Sequence, residues 1–209
     1  MKIAIVDYGL GNLFSLSNAF QHCGQKTFIS NDPGKILDAN ALILPGVGAF
    51  SEGIERLRKL SLDRTIAKFA EQNKFILGIC LGMQLLMDTS EEFGSHRGLG
   101  LIEGEVQSFV SFKNFNMKEK TLHVGWNDLE ITKKCDLLND LGEEGMYFIH
   151  SFCVNTRNRE NTVAIAQYGG VDFSAVIRKE NIYGCQFHPE KSAENGLKIL
   201  RNFLEMISN

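Results

Sequence analysis

The 209-residue sequence lacks the features by which several classes of protein are recognised. It has no excess of basic residues, since its net charge is −3, so nothing in it calls for nucleic acid or an anionic membrane as a partner. Its five cysteines are odd in number and show no paired metal-binding spacing. Its longest apolar run, residues 75–87, is interrupted by glycines and Gln84 and is too short and too polar to span a bilayer. We therefore expect a reduced, cytoplasmic protein that binds no metal, with at most one cysteine carrying chemistry.

A complete dinucleotide-binding motif is also absent. Gly9-Leu10-Gly11-Asn12 follows the first predicted strand, but the last glycine of the Gly-x-Gly-x-x-Gly pattern is missing, so we expect no cofactor. The sequence contains no internal repeat, low-complexity tract or linker. We therefore treat residues 1–209 as one domain.

The first half of the sequence alternates between strand and helix patterns. Strands are predicted at 3–6, 26–29, 41–44 and 75–79, and helices at 12–23, 51–60 and 62–72. A further helix follows residue 80, with Met83, Leu85, Leu86 and Met87 on its apolar face. This alternation implies a parallel sheet with helices on both faces.

After about Gly98 the pattern changes to short strands joined by turns. The predicted strands are 106–112, 121–131, 146–155, 162–168, 173–178 and 182–187, and a helix at 192–207 follows them. The spacing favours antiparallel hairpins that extend the sheet or pack beside it. We therefore predict an α/β fold, a single-domain three-layer sandwich with a mixed, mainly parallel central sheet and antiparallel hairpins in the C-terminal half.

Gly78-Ile79-Cys80-Leu81-Gly82 places one cysteine between two glycines where a strand pattern meets a helix pattern. Glycine on both sides leaves room for a tight turn, a nucleophile elbow that exposes the side chain above the sheet. The start of the following helix favours the thiolate of Cys80, the form that attacks carbon. The motif indicates acyl transfer through a thioester.

A thiolate nucleophile needs a proton shuttle, and His188-Pro189-Glu190 supplies the best candidate. Proline stops the strand, and extended geometry would send the side chains of His188 and Glu190 to the same side, where the carboxylate can orient the imidazole. Read alone, Cys80 has the ordinary interpretation of a small buried hydrophobe, and His188 that of a strand-end histidine with Glu190 near a helix start. The combination of the elbow with this trio favours catalysis.

Acyl transfer also needs hydrogen-bond donors for an oxyanion. The backbone N–H of Leu81, directly after the nucleophile, is one candidate. Pro45-Gly46-Val47-Gly48 follows a predicted strand, and its two glycines allow Val47 or Gly48 to point an N–H group into the site in more than one orientation. A plain turn is the alternative interpretation of this segment.

These segments together resemble the class I (triad) glutamine amidotransferases, and most closely the glutaminase subunits of imidazole glycerol phosphate synthases. The similarity runs the whole length of the sequence. The motifs that carry it are Asp7-Tyr8-Gly9-Leu10-Gly11-Asn12-Leu13, Pro45-Gly46-Val47-Gly48-Ala49-Phe50, residues 78–84, His123-Val124-Gly125-Trp126-Asn127, Phe148-Ile149-His150-Ser151-Phe152 and His188-Pro189-Glu190-Lys191-Ser192. This sequence has Val124 and Phe152 where the family usually has methionine and tyrosine.

The resemblance implies a glutaminase in which Cys80 is the nucleophile, His188 the general acid and base, and Glu190 the group that orients His188. The residues that would hold the glutamine substrate are Gly48, Leu81, Gln84, Glu92, His150 and Ser151. Only Gln84 among the polar ones has support from spacing, because positions 80 and 84 share a helix face.

The resemblance also implies a partner. Glutaminases of this family form a heterodimer with a (β/α)8-barrel cyclase, which uses the ammonia to make imidazole glycerol phosphate and an aminoimidazole carboxamide ribotide in histidine biosynthesis. Asn12, Trp126 and Lys191 would face that partner. A large aromatic in a polar loop suits an interface, although Trp126 fits a core position equally well.

Three other functions remain open from the sequence. A paralogous glutaminase subunit would deliver ammonia to an enzyme of surface-polysaccharide sugar synthesis. A stand-alone cysteine hydrolase or peptidase would use the same elbow and turn over without a partner. A regulatory binding module with a relic site is the non-enzymatic possibility, and the intact trio of Cys80, His188 and Glu190 argues against it.

Overall fold

The computed structural model describes residues 1–208 of the chain. The helices in these residues are α1 (Leu13–His22), α2 (Pro33–Leu37), α3 (Phe50–Lys59), α4 (Leu62–Glu71), α5 (Leu81–Leu85) and α6 (Ala193–Ser208). The strands are β1 (Ile3–Val6), β2 (Phe28–Ser30), β3 (Ala41–Leu44), β4 (Phe75–Ile79), β5 (Met87–Ser90), β6 (His96–Arg97), β7 (Ile102–Ser108), β8 (His123–Asn127), β9 (Glu130–Ile131), β10 (Met146–His150), β11 (Phe152–Thr156), β12 (Thr162–Tyr168), β13 (Val171–Lys179) and β14 (Ile182–Cys185). None of the helices in residues 1–208 combines the length and the apolar character needed to cross a membrane.

Most strands belong to one mixed sheet, in the order β2-β1-β3-β4-β14-β13-β11-β7-β5-β6. The strands from β2 to β14 pair in parallel, and β13, β11 and β7 continue the sheet with antiparallel pairings. A branch of β12 and β9 pairs with β13, and β8 and β10 form a separate two-stranded sheet. Since β1, β3, β4 and β14 run in the same direction, the residues that follow them meet at one edge of the sheet.

Both faces of the parallel strands are buried, which makes the fold a three-layer sandwich. Ile3 and Ile5 face one hydrophobic core, which also takes residues of α1 and α6. Ala4 and Val6, one position along the strand, face a second core with residues of α3 and α4. Alternation of side chains along a strand produces these two sets from one continuous apolar run. The predicted fold class is therefore confirmed.

Several predicted elements have the bounds that the pattern indicates, namely the strands at 3–6, 41–44, 75–79 and 162–168. The second strand lies at Phe28–Ser30 rather than at 26–29. The sequence analysis assigned no element between residues 29 and 41 and so missed α2. Asp32 caps this helix by accepting hydrogen bonds from Gly34 N and Lys35 N, and Pro33 takes the first helical position, where its missing N–H costs nothing.

The predicted helix after Cys80 is wrong in its length. The helix α5 ends at Leu85, and Met87 begins β5 instead of continuing the helix. A returning loop competes for the backbone here, since Leu99 N donates to Leu85 O and Leu101 N donates to Leu86 O, each at 2.9 Å.

The predicted strands at 121–131 and 146–155 are each two strands. Ser151 is the break in the second run, where the chain leaves β10 in the small sheet and enters β11 in the large one. Both halves keep an apolar pattern, so the change of sheet is invisible in the sequence. It places residues 149–152 at the junction of the two sheets.

Candidate active site

Cys80 lies at the carboxyl end of β4 in a strained backbone conformation, with φ 54° and ψ −110°. L-residues rarely adopt this region, and the surrounding structure holds it, in part because Cys80 N donates to Cys185 O at 2.8 Å. The flanking glycines are needed for close approach. A Cβ at Gly78 would lie 2.8 Å from Gly82 O, and a Cβ at Gly82 would lie 1.7 Å from Leu44 O. The elbow predicted at this position is present.

His188 follows β14, the strand next to β4, and its backbone N–H donates to Tyr147 O at 3.0 Å. Its Nδ1 lies 2.8 Å from Glu190 Oε1, and both side chains are buried. The pairing is the predicted one, but its geometry differs, because Pro189–Lys191 form a 3-10 turn rather than extended backbone. The turn brings the carboxylate back to the imidazole.

The second ring nitrogen of His188, Nε2, is buried and has no hydrogen-bond partner among residues 1–208. Burial lowers the pKa of His188, but the interactions with Cys80 and Glu190 outweigh it and raise the pKa to about 10. The side chain is thus charged near neutral pH and holds a proton that it can give to a leaving group.

A cavity of about 290 Å³ opens above Cys80 and His188. Its lining includes every predicted substrate and oxyanion residue, namely Val47, Gly48, Leu81, Gln84, Glu92, His150 and Ser151. Leu122, Ile149, Phe152 and Lys191 complete the wall. The structure therefore brings together segments from distant parts of the chain around the sulfur.

Glu92 reaches the cavity from the loop after β5. Its Oε2 accepts a hydrogen bond from Phe50 N at 2.6 Å, which satisfies a free N–H at the start of α3. Burial raises the pKa of this carboxyl, while the Phe50 N–H and the charge of His96 oppose the rise. Glu92 thus ties the cavity wall to a helix end.

His150 stands behind the cavity in a chain of polar contacts. Its Nδ1 donates to Phe152 O at 2.8 Å, and its Nε2 lies 3.1 Å from His123 Nδ1. Burial lowers the pKa of His150 to about 3, so the ring is neutral. A neutral ring that is hydrogen-bonded on both sides forms a rigid part of the wall.

The three predicted interface residues lie on the surface beside this edge. Trp126 is 53% exposed, and its ring contacts that of Tyr147 in an edge-on arrangement with centroids 6.0 Å apart. Lys191 Nζ lies 5.8 Å from the centre of the same Tyr147 ring. Asn12 is exposed at the start of α1, where it caps the helix, and α1 packs against the turn that carries Lys191.

A family model, glutamine amidotransferase class-I, matches residues 4–207. The chain belongs to the class I glutamine amidotransferases. Among curated proteins, the amidotransferase is 44% identical to imidazole glycerol phosphate synthase subunit HisH 1 of Legionella pneumophila (strain Lens), over 98% of this chain and 99% of that one. It is 48% identical to the subunit HisH of Sulfurimonas denitrificans, over 96% of each chain.

Solved structures share the fold of this amidotransferase at lower identity. A chain of the PurLQS structure from Thermotoga maritima superposes with a TM-score of 0.73 at 23% identity, covering 99% of this chain and 98% of that one. A glutamine amidotransferase from Thermotoga maritima gives a TM-score of 0.67 at 15% identity, covering 99% and 97%. These likenesses concern the fold alone.

The site of this amidotransferase also contains a residue that sequence reasoning missed. Gln186 is fully buried, and its Nε2 lies 3.7 Å from Cys80 Sγ. Its Oε1 accepts a hydrogen bond from Gln84 Nε2, which also donates to Phe152 O. The sequence position of Gln186 could have identified it. Gln186 lies two positions before His188, and side chains two positions apart on a strand point to the same face.

Proposed function

We propose that this chain is the glutaminase subunit of an imidazole glycerol phosphate synthase, acting as one domain over residues 1–209. It hydrolyses L-glutamine to glutamate and ammonia for use in histidine biosynthesis. The observation that carries the proposal is that Cys80 and His188 line one cavity beside a glycine-rich turn, with Glu190 bound to the far ring nitrogen of His188. The names of the full-length relatives support the choice of synthase.

The first half of the reaction forms a thioester. The thiolate of Cys80 attacks the side-chain amide carbon of glutamine, and the carbonyl oxygen becomes an oxyanion. As the first residue of α5, Leu81 has an N–H group without a partner inside the helix, and it donates to this oxygen together with Val47 or Gly48. His188 gives its proton to the amide nitrogen, the C–N bond breaks, and ammonia leaves.

The second half releases glutamate. His188, now neutral, takes a proton from a water molecule that attacks the thioester carbon. The C–S bond breaks, and the thiolate of Cys80 returns beside the imidazolium. Glu190 holds the His188 tautomer and stabilises its positive charge throughout. Gln84 and Glu92 hold the α-amino and carboxylate ends of the substrate, and Gly48, His150 and Ser151 line the same pocket.

The ammonia must be used before water protonates it, which calls for an acceptor enzyme sealed over the cavity. We infer a heterodimer with a (β/α)8-barrel cyclase in the cytoplasm, in which ammonia crosses the interface into the barrel. Asn12, Trp126 and Lys191 contact that subunit, and the exposed Trp126–Tyr147–Lys191 cluster beside the cavity supports this placement. The amidotransferase needs no cofactor for its own step.

A glutaminase assay with and without the candidate barrel subunit and its nucleotide ligand tests the proposal. We expect the free subunit to be nearly inactive and the loaded pair to release glutamate at full rate. The reason is the Gly46–Val47 peptide, which we propose must reorient when the barrel binds its ligand. Full turnover by the isolated chain would instead indicate a stand-alone hydrolase. In a complementation test, rescue of a polysaccharide mutant but not of a histidine auxotroph would identify the sugar paralogue.

The division of labour between His188 and Glu190 gives a separate prediction. His188→Ala should lower the glutamine-dependent kcat of the complex by about 10,000-fold, because both proton transfers are lost. Glu190→Gln should lower it by only about 100-fold, because an amide still contacts Nδ1 but no longer balances the charge. Steady-state kinetics of both variants decide the matter. Equal losses would mean that the carboxylate does more than orient the ring.

A further inference from the structure

Tyr8 connects the first strand to the turn that carries the proposed oxyanion donors. It lies just beyond β1 and is only 2% exposed. Its hydroxyl donates a hydrogen bond of 2.6 Å to Pro45 O, the carbonyl that directly follows β3. Since β1 and β3 are neighbours in the sheet, the phenol bridges the carboxyl ends of two adjacent strands.

The same hydroxyl also lies close to Gly46, on the side where a side chain would project. A Cβ at Gly46 would lie 2.2 Å from Tyr8 Oη and 3.0 Å from Leu81 Cβ. The Pro45–Gly46 peptide is therefore held between the phenol and the residue that follows the nucleophile. Proline fixes the φ of residue 45 but leaves the ψ that orients its carbonyl, and the hydrogen bond from Tyr8 Oη holds that carbonyl.

The other end of the turn, at Val47 and Gly48, is less closely packed. Val47 is 41% exposed, and Gly48 has φ 101° with no atom within 4 Å of where a Cβ would be. One end of the Pro45–Gly48 turn is thus fixed in the core, while the end with the proposed donors can rotate.

The Tyr8 hydroxyl is a hydrogen-bond donor at neutral pH. Burial raises the pKa of its phenol far above the ordinary value, and the charge of Cys80 adds a smaller rise. The phenol therefore stays protonated, and no step of the mechanism uses its proton.

We propose that Tyr8 is a positioning residue whose hydrogen bond to the Pro45 carbonyl sets the pivot about which the Gly46–Val47 peptide turns to present its N–H to the oxyanion. This inference rests on the proposed glutaminase function and adds to it the group that holds the donor loop. Without the bond, the pivot is loose and the donor is misaligned in the transition state. Since direct removal of one oxyanion donor lowers kcat by about 100- to 1,000-fold, an indirect misalignment should lower it by about tenfold.

The test is Tyr8→Phe in the assembled pair of glutaminase and barrel subunits. We expect kcat for glutamine to fall about tenfold with KM within about twofold, because the loss arises in the transition state. Alkylation of Cys80 by iodoacetamide should keep its parental rate, since it requires the thiolate but forms no oxyanion. Tyr183→Phe is the matched control, as Tyr183 is equally buried at 3% exposure but lines no part of this cavity, and it should keep the parental kcat.

Thermal melting shows whether Tyr8→Phe is folded, and Gly46→Ala provides a second variant because it displaces the phenol from the opposite side. A fall in kcat for glutamine with an unchanged rate of Cys80 alkylation, in a variant that is folded, supports the inference. Parental kcat in Tyr8→Phe, or an equal fall in alkylation and turnover, overturns it. A parental pair that does not hydrolyse glutamine overturns the proposed function and this inference together.

Discussion

Cys80→Ala should abolish the glutamine-dependent reaction of the synthase pair and leave its ammonia-dependent reaction intact. Removal of the sulfur prevents formation of the thioester, and the expected loss is at least about 10,000-fold in kcat with glutamine. The acceptor chemistry belongs to the barrel subunit, so free ammonium salts should sustain synthesis within about twofold of the parental rate. Rates with each nitrogen source on the same preparation give the comparison.

Cys135→Ala is the control for this experiment. Cys135 is also a buried free cysteine, at 3% exposure, but it does not line the cavity. It should keep both activities, which separates loss of the nucleophile from loss of a small core side chain. If Cys80→Ala removed the ammonia-dependent activity of a correctly assembled pair as well, the proposed division between the two subunits would be wrong.

Gly82→Ala should have the largest effect on stability, even though it adds a single methyl group. The new Cβ would lie 1.7 Å from Leu44 O and 2.7 Å from Leu44 C, and this carbonyl is backbone of the last residue of β3, a strand paired on both sides. Helix α5 must therefore move away from β3, at a cost of about 3 kcal/mol or more. For a chain of this size that corresponds to a fall of about 6–12 °C in Tm, measured by circular dichroism.

The same displacement separates the Leu81 N–H from the turn that begins at Pro45, so glutamine turnover should fall with stability. Gly24→Ala is the comparison, because Gly24 has φ 83° and no atom within 4 Å of the added Cβ. It should cost only about 1 kcal/mol of backbone strain and leave turnover unchanged. A Gly82→Ala variant that melts within about 2 °C of the parent would show that α5 can shift without penalty.

The parallel half of the fold was predictable because its strands are buried on both sides. Continuous apolar runs such as Ile3–Val6 are typical of parallel strands that helices cover on both faces. The antiparallel half was predicted only roughly, since its strands divide between two sheets. The division at Ser151 depends on which partner each strand finds, and that information lies in distant residues rather than in the local pattern.

The functional site was likewise predictable only in part. Cys80 could be assigned because a glycine lies two positions away on either side, and His188 and Glu190 because they flank Pro189; glycine and proline mark where the backbone must turn. The approach of His150 to His123 could not, because it follows from the register of β8 with β10, where these two residues pair directly. Tyr8 was passed over for a similar reason, as its partner Pro45 lies on another strand end.

The positive φ of Cys80 affects how this protein tolerates mutation. A residue held in such a conformation carries about 1–3 kcal/mol of strain, against the roughly 5–15 kcal/mol by which a typical domain is stable. The neighbours of the elbow supply the constraint, so we expect a distant substitution that loosens their packing to let this corner relax. Evolutionary drift in the core should therefore reduce catalysis while the chain still folds, and selection on turnover would preserve residues that never meet the substrate.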